Sequence, residues 1–305
     1  MKFLRKMRRY RYFEWLYRRG IEEVRNKKIL FCGMVRDSES EVRRNIPVLE
    51  KMASYFADYR VVIVENNSKD KTKEVLKSWA EKNSKVTALC NDFDESKYDA
   101  IPKDPSYNKY YSRRRIEKYC DYRNIYCDYI REKLSFDSDY YVEIDLDIAK
   151  IDIEGFITSF GNNLEWNGII ANGYSYSPSF KRRHHDTYCL LECGKEKLPD
   201  SYEKIELYRD AFEPFRKGMP FIRIGAGMGG MIIWKSKERM DIRYRVIPNN
   251  YGEVEVYCDH VCIFNQLAER GHDKFFLNPN MVVRYQSINF ALIIKKVMDT
   301  IHGTH

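Results

Sequence analysis

The chain has 305 residues, of which 44% are apolar and 32% charged, with a formal net charge of +8. A chain of this size and apolar content can bury one large core, which excludes a disordered polyelectrolyte. No apolar run reaches the ~18–20 residues of a bilayer span and no signal-peptide core opens the sequence, so the expectation is a chain that neither crosses a membrane nor enters the general secretory route.

The charge is uneven. Residues 1–28 carry eleven Lys and Arg against three Glu, and the remainder holds 42 of each sign. A nucleic-acid enzyme spreads positive charge along a binding face. A neutral body behind one basic segment argues against that class, and no nucleic-acid partner is expected. Residues 1–27 form the first unit. Phe3, Met7, Tyr10, Phe13, Tyr17, Ile21 and Val24 recur at helical spacing over 2–25, with Arg and Lys on the flanks. Such a helix suits the anionic inner face of a cell membrane, and the expectation is a cytoplasmic protein held there peripherally.

KILFCGMV (28–35) reads as a buried strand, followed by a helix over 39–56 in which Pro47 marks a start or a kink. YRVVIVE (59–65) is a second strand, NNSKDKT a polar turn into a helix over 71–82, and KVTALC (85–90) a third strand. This alternation with short links predicts an α/β fold around a parallel, doubly wound sheet. Residues 91–111 make a long polar loop, the type that borders a site. A helix over 113–134 leads to YYVEI (140–144), the fourth strand. The second half, 151–305, is more mixed. It has apolar stretches near 168–172 and 230–234, a helix 260–270 ended by Gly271, strands within 275–284, and a closing helix 289–301.

The eight cysteines are scattered, several inside apolar patterns where Cys acts as a small buried hydrophobe, and a chain this large needs no disulfide staples. Cys189/Cys193 and Cys258/Cys262 lack the two-residue gap of zinc knuckles, which disfavours a zinc site built from those two pairs.

The fourth strand ends in Asp145-Leu146-Asp147. Ligands of open α/β sheets collect at the carboxyl ends of the strands, and alternation turns both aspartates to one side with Leu146 on the other. Two hard oxygen donors side by side suit Mn²⁺ or Mg²⁺, with water and phosphate oxygens completing the shell.

This pattern resembles the Asp-x-Asp signature of glycosyltransferases with the GT-A fold. VVIVENNSKDKT (61–72) is similar to the second-strand segment of the family 2 transferases, and Arg123-Asn124 to the Arg-Asn pair on the helix before the Asp-x-Asp strand. GAGMGGMIIW (225–234), CDHVCIFNQLAERG (258–271) and FFLNPNMVVRY (275–285) resemble the second half of capsule and surface-polysaccharide transferases. The resemblance implies a GT-A domain with a nucleotide-sugar half over 28–150 and an acceptor half over 151–305. It implies a UDP-sugar donor, Glu65 at the nucleotide base, Arg36, Arg123 and Asp145 on the rest of the nucleotide, and Asp145 with Asp147 on the metal. It also implies a glycan or lipid-linked glycan acceptor near Gly229 and Gly230, and Asp259 as catalytic base of an inverting transfer in polysaccharide biosynthesis. Apart from the resemblance, RRHHDTY (182–188) concentrates charge and imidazole in what reads as a loop, suited to acceptor contact through Asp186 or simply solvated. Asp259 also has the makings of an N-cap for the helix it opens, and because Asn caps about as well as Asp, Asp259→Asn is expected to lower turnover and leave stability almost unchanged; if Asp259 were only a cap, Glu253 or Glu255 would be the base. The first strand ends CGMVRDSE in place of the commoner Pro-x-Tyr-Asn, and Glu65-Asn66 replaces the usual acidic pair. The rival readings are a retaining enzyme similar to capsule mannosyltransferases, a nucleotidyltransferase, for which CGMVRDSES is a poor phosphate loop, and an RNA-binding module using residues 1–28.

Overall fold

The computed structural model describes residues 2–101, 111–176, 182–194, 201, 203, 205, 215–285 and 294; the expected closing helix 289–301 lies outside them apart from residue 294. Helix α1 (Lys2–Val24) precedes a first half made of β1 (Lys28–Val35), α2 (Glu39–Ala53), β2 (Asp58–Asn66), α3 (Thr72–Lys82), β3 (Val86–Asn91), α4 (Ser96–Asp99), α5 (Arg113–Glu132) and β4 (Tyr140–Ile144). The second half comprises β5 (Lys150–Ile151), α6 (Ile153–Thr158), β6 (Gly168–Tyr176), β7 (Arg182–His184), β8 (Leu191–Glu192), β9 (Ile222–Ala226), β10 (Met231–Lys235), α7 (Ser236–Arg239), α8 (Val261–Glu269) and β11 (Phe275–Arg284).

One sheet runs through both halves in the order β3-β2-β1-β4-β10-β6-β11-β9-β8. Strands β3, β2, β1 and β4 are mutually parallel, and β10 enters antiparallel between β4 and β6. The α/β class, with a mostly parallel centre flanked by helices, is therefore as the sequence predicts. The central strands are covered on both faces, which is why they read as continuous apolar runs. Along β1, Ile29 and Phe31 join one core while Leu30 and Cys32 join the other. The chain steps outward from β1 through β2 to β3, then returns to place β4 on the other side of β1. The carboxyl ends of β1 and β4 thus flank the point where strand order reverses, the usual ligand crevice of such sheets.

Helix α2 runs from Glu39 to Ala53 with Pro47 inside it, so of the two roles expected for the proline the helix start is excluded. The apolar stripe of α1 is not one face against one partner. Phe13, Leu16 and Val24 are buried, and Gly20 lies so close to α6 that a Cβ there would stand 2.1 Å from the Ile157 carbonyl oxygen. The first turns project instead, with Leu4 68% and Tyr10 65% exposed. Among the described residues no helix is long and apolar enough to cross a membrane.

Candidate active site

A cleft of about 840 Å³ opens at the strand-order reversal, within the ~300–1,000 Å³ range of small-molecule sites. Arg36 after β1, Asn66 at the end of β2, and Asp145 and Asp147 after β4 form one wall. Arg123 of α5, Asp186 after β7 and Asp259 before α8 also line it.

The Asp-Leu-Asp turn is built from both sides. The Asp145 N–H donates to the Gly230 carbonyl at 3.0 Å, carrying the β4–β10 ladder one residue past the strand. Asn45, on the apolar face of α2, donates through Nδ2 to the carbonyls of Leu146 (2.9 Å) and Ile148 (2.7 Å). Leu146 is buried in the core, and the two aspartates open to the cleft, as alternation predicts. Tyr285 donates its hydroxyl to Asp145 Oδ2 at 2.5 Å. Burial first, and then the charge of Asp147, push the Asp145 carboxyl up to about 7. Two carboxylates that resist ionising together make a site that a divalent cation relieves, and their hard oxygens fit Mn²⁺ or Mg²⁺.

Opposite them, Arg123 Nε and Asp259 Oδ2 form a buried ion pair at 2.5 Å. Burial alone would raise the Asp259 carboxyl, but Arg123 and then His260 outweigh it and hold the group far below the ordinary carboxylate range. The helix that follows is capped at His260 with no side-chain bond, so Asp259 is not its N-cap; its carboxylate is committed to Arg123. Arg123 is accordingly buried. Asp186 sits half-buried with φ of +66°, and burial together with the charges of Asp145 and Asp259 pushes its carboxyl up to about 8. His185 beside it stacks on Tyr285 at 3.4 Å.

The remaining residues singled out in the sequence fall elsewhere or do other work. Glu65 is wholly buried and is not part of the cleft lining: its Oε1 accepts the Ser68 N–H at 2.7 Å and holds the β2–α3 turn. Strand parity explains this, because Glu65 continues the Val61/Ile63 face, whereas Asn66 continues the Val62/Val64 face toward the cleft. Arg36 is at the rim, donating to Glu95 at 3.0 Å. Gly229 and Gly230 stand behind the cleft. Both have positive φ, and a Cβ on Gly230 would stand 2.8 Å from the Tyr285 hydroxyl, so this glycine makes room for the tyrosine that holds Asp145. Glu253 and Glu255 are outside the cleft lining, and Glu255 accepts the Arg113 N–H at 3.1 Å. Of the RRHHDTY stretch, Arg182–His184 is a strand paired with β6 and not a loop. Asn45 and Tyr285 were not singled out by the sequence reading. Asn45 carried a signal, a polar residue spaced three from Val42 and four from Leu49 on an apolar helix face.

No family model matches the sequence, and no curated protein does. Among solved structures, the chain is similar to a mannosyltransferase from Pyrobaculum calidifontis in complex with GDP-Man and Mn²⁺, at 9% identity and a TM-score of 0.45, over 97% of this chain and 72% of that one. It is similar to glucosyl-3-phosphoglycerate synthase from M. tuberculosis at 8% identity and a TM-score of 0.42, over 91% and 80%. A third similar structure is S. aureus TarS 1–349, at 12% identity and a TM-score of 0.40, over 84% and 59%.

Proposed function

We propose that this chain is a metal-dependent glycosyltransferase of the GT-A type, moving a sugar from a UDP-sugar to a glycan or lipid-linked glycan acceptor in bacterial surface-polysaccharide synthesis. The observation that carries the reading is the placement of Asp145 and Asp147 at the strand-order reversal, facing a deep cleft across from Arg123, Asp186 and Asp259. Asp145 and Asp147 would hold Mn²⁺ or Mg²⁺, which supplies Lewis-acid stabilisation of a departing diphosphate. Arg36 and Asn66 extend the nucleotide side of the cleft, and Glu65 supports that side through the turn it holds. Arg123 adds positive charge where phosphate oxygens would gather. Asp186, half-buried, offers an acceptor hydroxyl a hydrogen-bond partner, and Asp259 is the base of an inverting transfer.

The second reading is a retaining transfer, which the Arg123–Asp259 ion pair favours, because a carboxylate held so strongly ionised is a weak proton acceptor. A panel of sugar nucleotides, scored for nucleotide release with and without Mn²⁺, tests the proposal. Metal-dependent release from one donor is expected, and none from any donor would refute it.

The exposed start of α1 supports contact with an anionic membrane. Leu4, Met7, Tyr10 and Trp15 are exposed among arginines and lysines, with charge complementary to acidic lipid. Removing residues 1–24 would also uncover the core packed on Leu16 and Val24, so point variants are the cleaner probe. Leu4→Ser with Tyr10→Ser is expected to reduce sedimentation with anionic vesicles and to leave thermal stability unchanged. Equal sedimentation of variant and wild type would make the exposed face irrelevant to membranes.

A further inference from the structure

The two cysteine pairs of the sequence separate in space. Cys193 is exposed and Cys262 Sγ accepts the Arg245 N–H at 3.3 Å, whereas Cys189 and Cys258 are buried and converge on His260. The two sulfurs and one imidazole nitrogen lie within 4.8 Å of one another. His260 is 1% exposed, and its Nε2 makes no hydrogen bond. Glu143 Oε2, 3.7 Å away, is also buried without a hydrogen-bond partner. The other ring nitrogen, Nδ1, stands 3.7 Å from Asp259 Oδ2, and Cys258 Sγ donates to Asp259 Oδ1 at 3.2 Å.

We propose that Cys189 Sγ, Cys258 Sγ and His260 Nδ1 form a second metal site, for Zn²⁺, in the wall of the cleft and separate from the Asp145/Asp147 pair. Two thiolates and an imidazole are the soft and borderline donors that select zinc, while Mn²⁺ and Mg²⁺ prefer the oxygens of the aspartates. Zinc bonds of ~2.0–2.3 Å place tetrahedral ligand atoms about 3.3–3.8 Å apart, so the three atoms need to draw together by only about 1 Å. The supporting shell is present. With Nδ1 on the metal, Nε2 carries the hydrogen and donates to Glu143, the carboxylate–histidine–metal relay that satisfies both orphaned atoms. Arg239 fixes that carboxylate in turn, donating to Glu143 Oε1 at 2.5 and 3.0 Å.

The charge also balances. Arg123–Asp259 and Arg239–Glu143 are each neutral pairs. When Zn²⁺ enters, two S–H bonds break, two Zn–S bonds form and two protons leave to solvent, so the net charge of the site is unchanged. Cys258, Asp259 and His260 all line the cleft, which leaves the fourth coordination position for water. A metal here would fix the Cys258–His260 segment and with it the orientation of Asp259.

The full chain, purified with a thiol reductant and without chelator, is analysed for metal and then loaded with Co²⁺. One zinc per chain and a thiolate-to-cobalt charge-transfer band are expected, both lost in Cys189→Ser and Cys258→Ser and both kept in Asp147→Asn. Alkylation of the wild-type chain reads the same site without any variant: zinc should slow modification of Cys189 and Cys258 by about tenfold or more and leave the exposed Cys193 unaffected. Failure of the reduced wild-type chain to take up zinc or cobalt would overturn the proposal. So would a cobalt spectrum without the thiolate band, or a Cys189–Cys258 disulfide in chain isolated without reductant. None of these readouts depends on sugar transfer, so failure here leaves the glycosyltransferase reading standing.

Discussion

Asp147→Asn is expected to lower turnover on the order of 10³-fold and to remove Mn²⁺-dependent UDP binding, with the fold intact. The magnitude follows from the several kcal/mol that a divalent cation supplies to a leaving diphosphate, each ~1.4 kcal/mol being tenfold in rate. Asparagine keeps the shape of the side chain but removes the charge that anchors the ion. The turn itself does not depend on the carboxylate. It is held by the Asn45 bonds to Leu146 and Ile148 and by the Asp145 N–H on Gly230. The charge of Asp147 raises the proton affinity of Asp145, so the unloaded pair is unfavourable and loss of the Asp147 charge does not cost folding stability. Calorimetry of Mn²⁺ and UDP beside a turnover assay reads both halves of the prediction. Wild-type turnover in the variant, or full activity of the wild type in EDTA, would refute the metal assignment.

Asp259→Asn is expected to act on catalysis and on stability together. As the base, Asp259 contributes about 10²-fold or more to turnover. As the partner of Arg123, which is almost wholly buried, it also neutralises a poorly hydrated charge, and breaking a buried pair costs about 3–5 kcal/mol. The expectation that this variant would leave stability unchanged rested on a capping role, and the ion pair removes it. Proton linkage gives a separate signature. The Asp259 carboxyl is depressed in the folded state, so its contribution to stability is complete above the ordinary carboxylate pKa and is lost as pH falls through the depressed value. Wild-type stability should therefore decline in acid with a component that the asparagine variant lacks. Denaturant unfolding over that range, with turnover measured well below the melting temperature, separates the two effects. A destabilised variant that turns over at the wild-type rate would make Asp259 the partner of Arg123 and not a base. A product that retains the donor's anomeric configuration would select the retaining course.

Local pattern by itself determined the first half of this protein. Strands 28–35, 59–65, 85–90 and 140–144 were legible because central strands covered on both faces are continuous apolar runs, and short polar links between them force right-handed crossovers into a parallel sheet. The Asp145/Asp147 pair was legible for the same reason, since strand alternation sets the side of each carboxylate without reference to anything distant. Parity also held the answer for Glu65, which shares the Ile63 face and turns into the α3 layer while Asn66 takes the cleft.

Tertiary structure decided what depends on pairing between remote segments. The insertion of β10 antiparallel between β4 and β6 leaves no mark on local periodicity, because an antiparallel and a parallel buried strand carry the same apolar run. Asp259 reads as a helix cap from its neighbours alone, and only the approach of α5, 136 residues earlier, turns its carboxylate onto Arg123. Tyr285 meets Asp145 across 140 residues, through space that Gly230 keeps open. Cys189 and Cys258, each near a different cysteine in the sequence, likewise meet each other and His260 only in the fold, since convergence of side chains is set by packing and not by spacing along the chain.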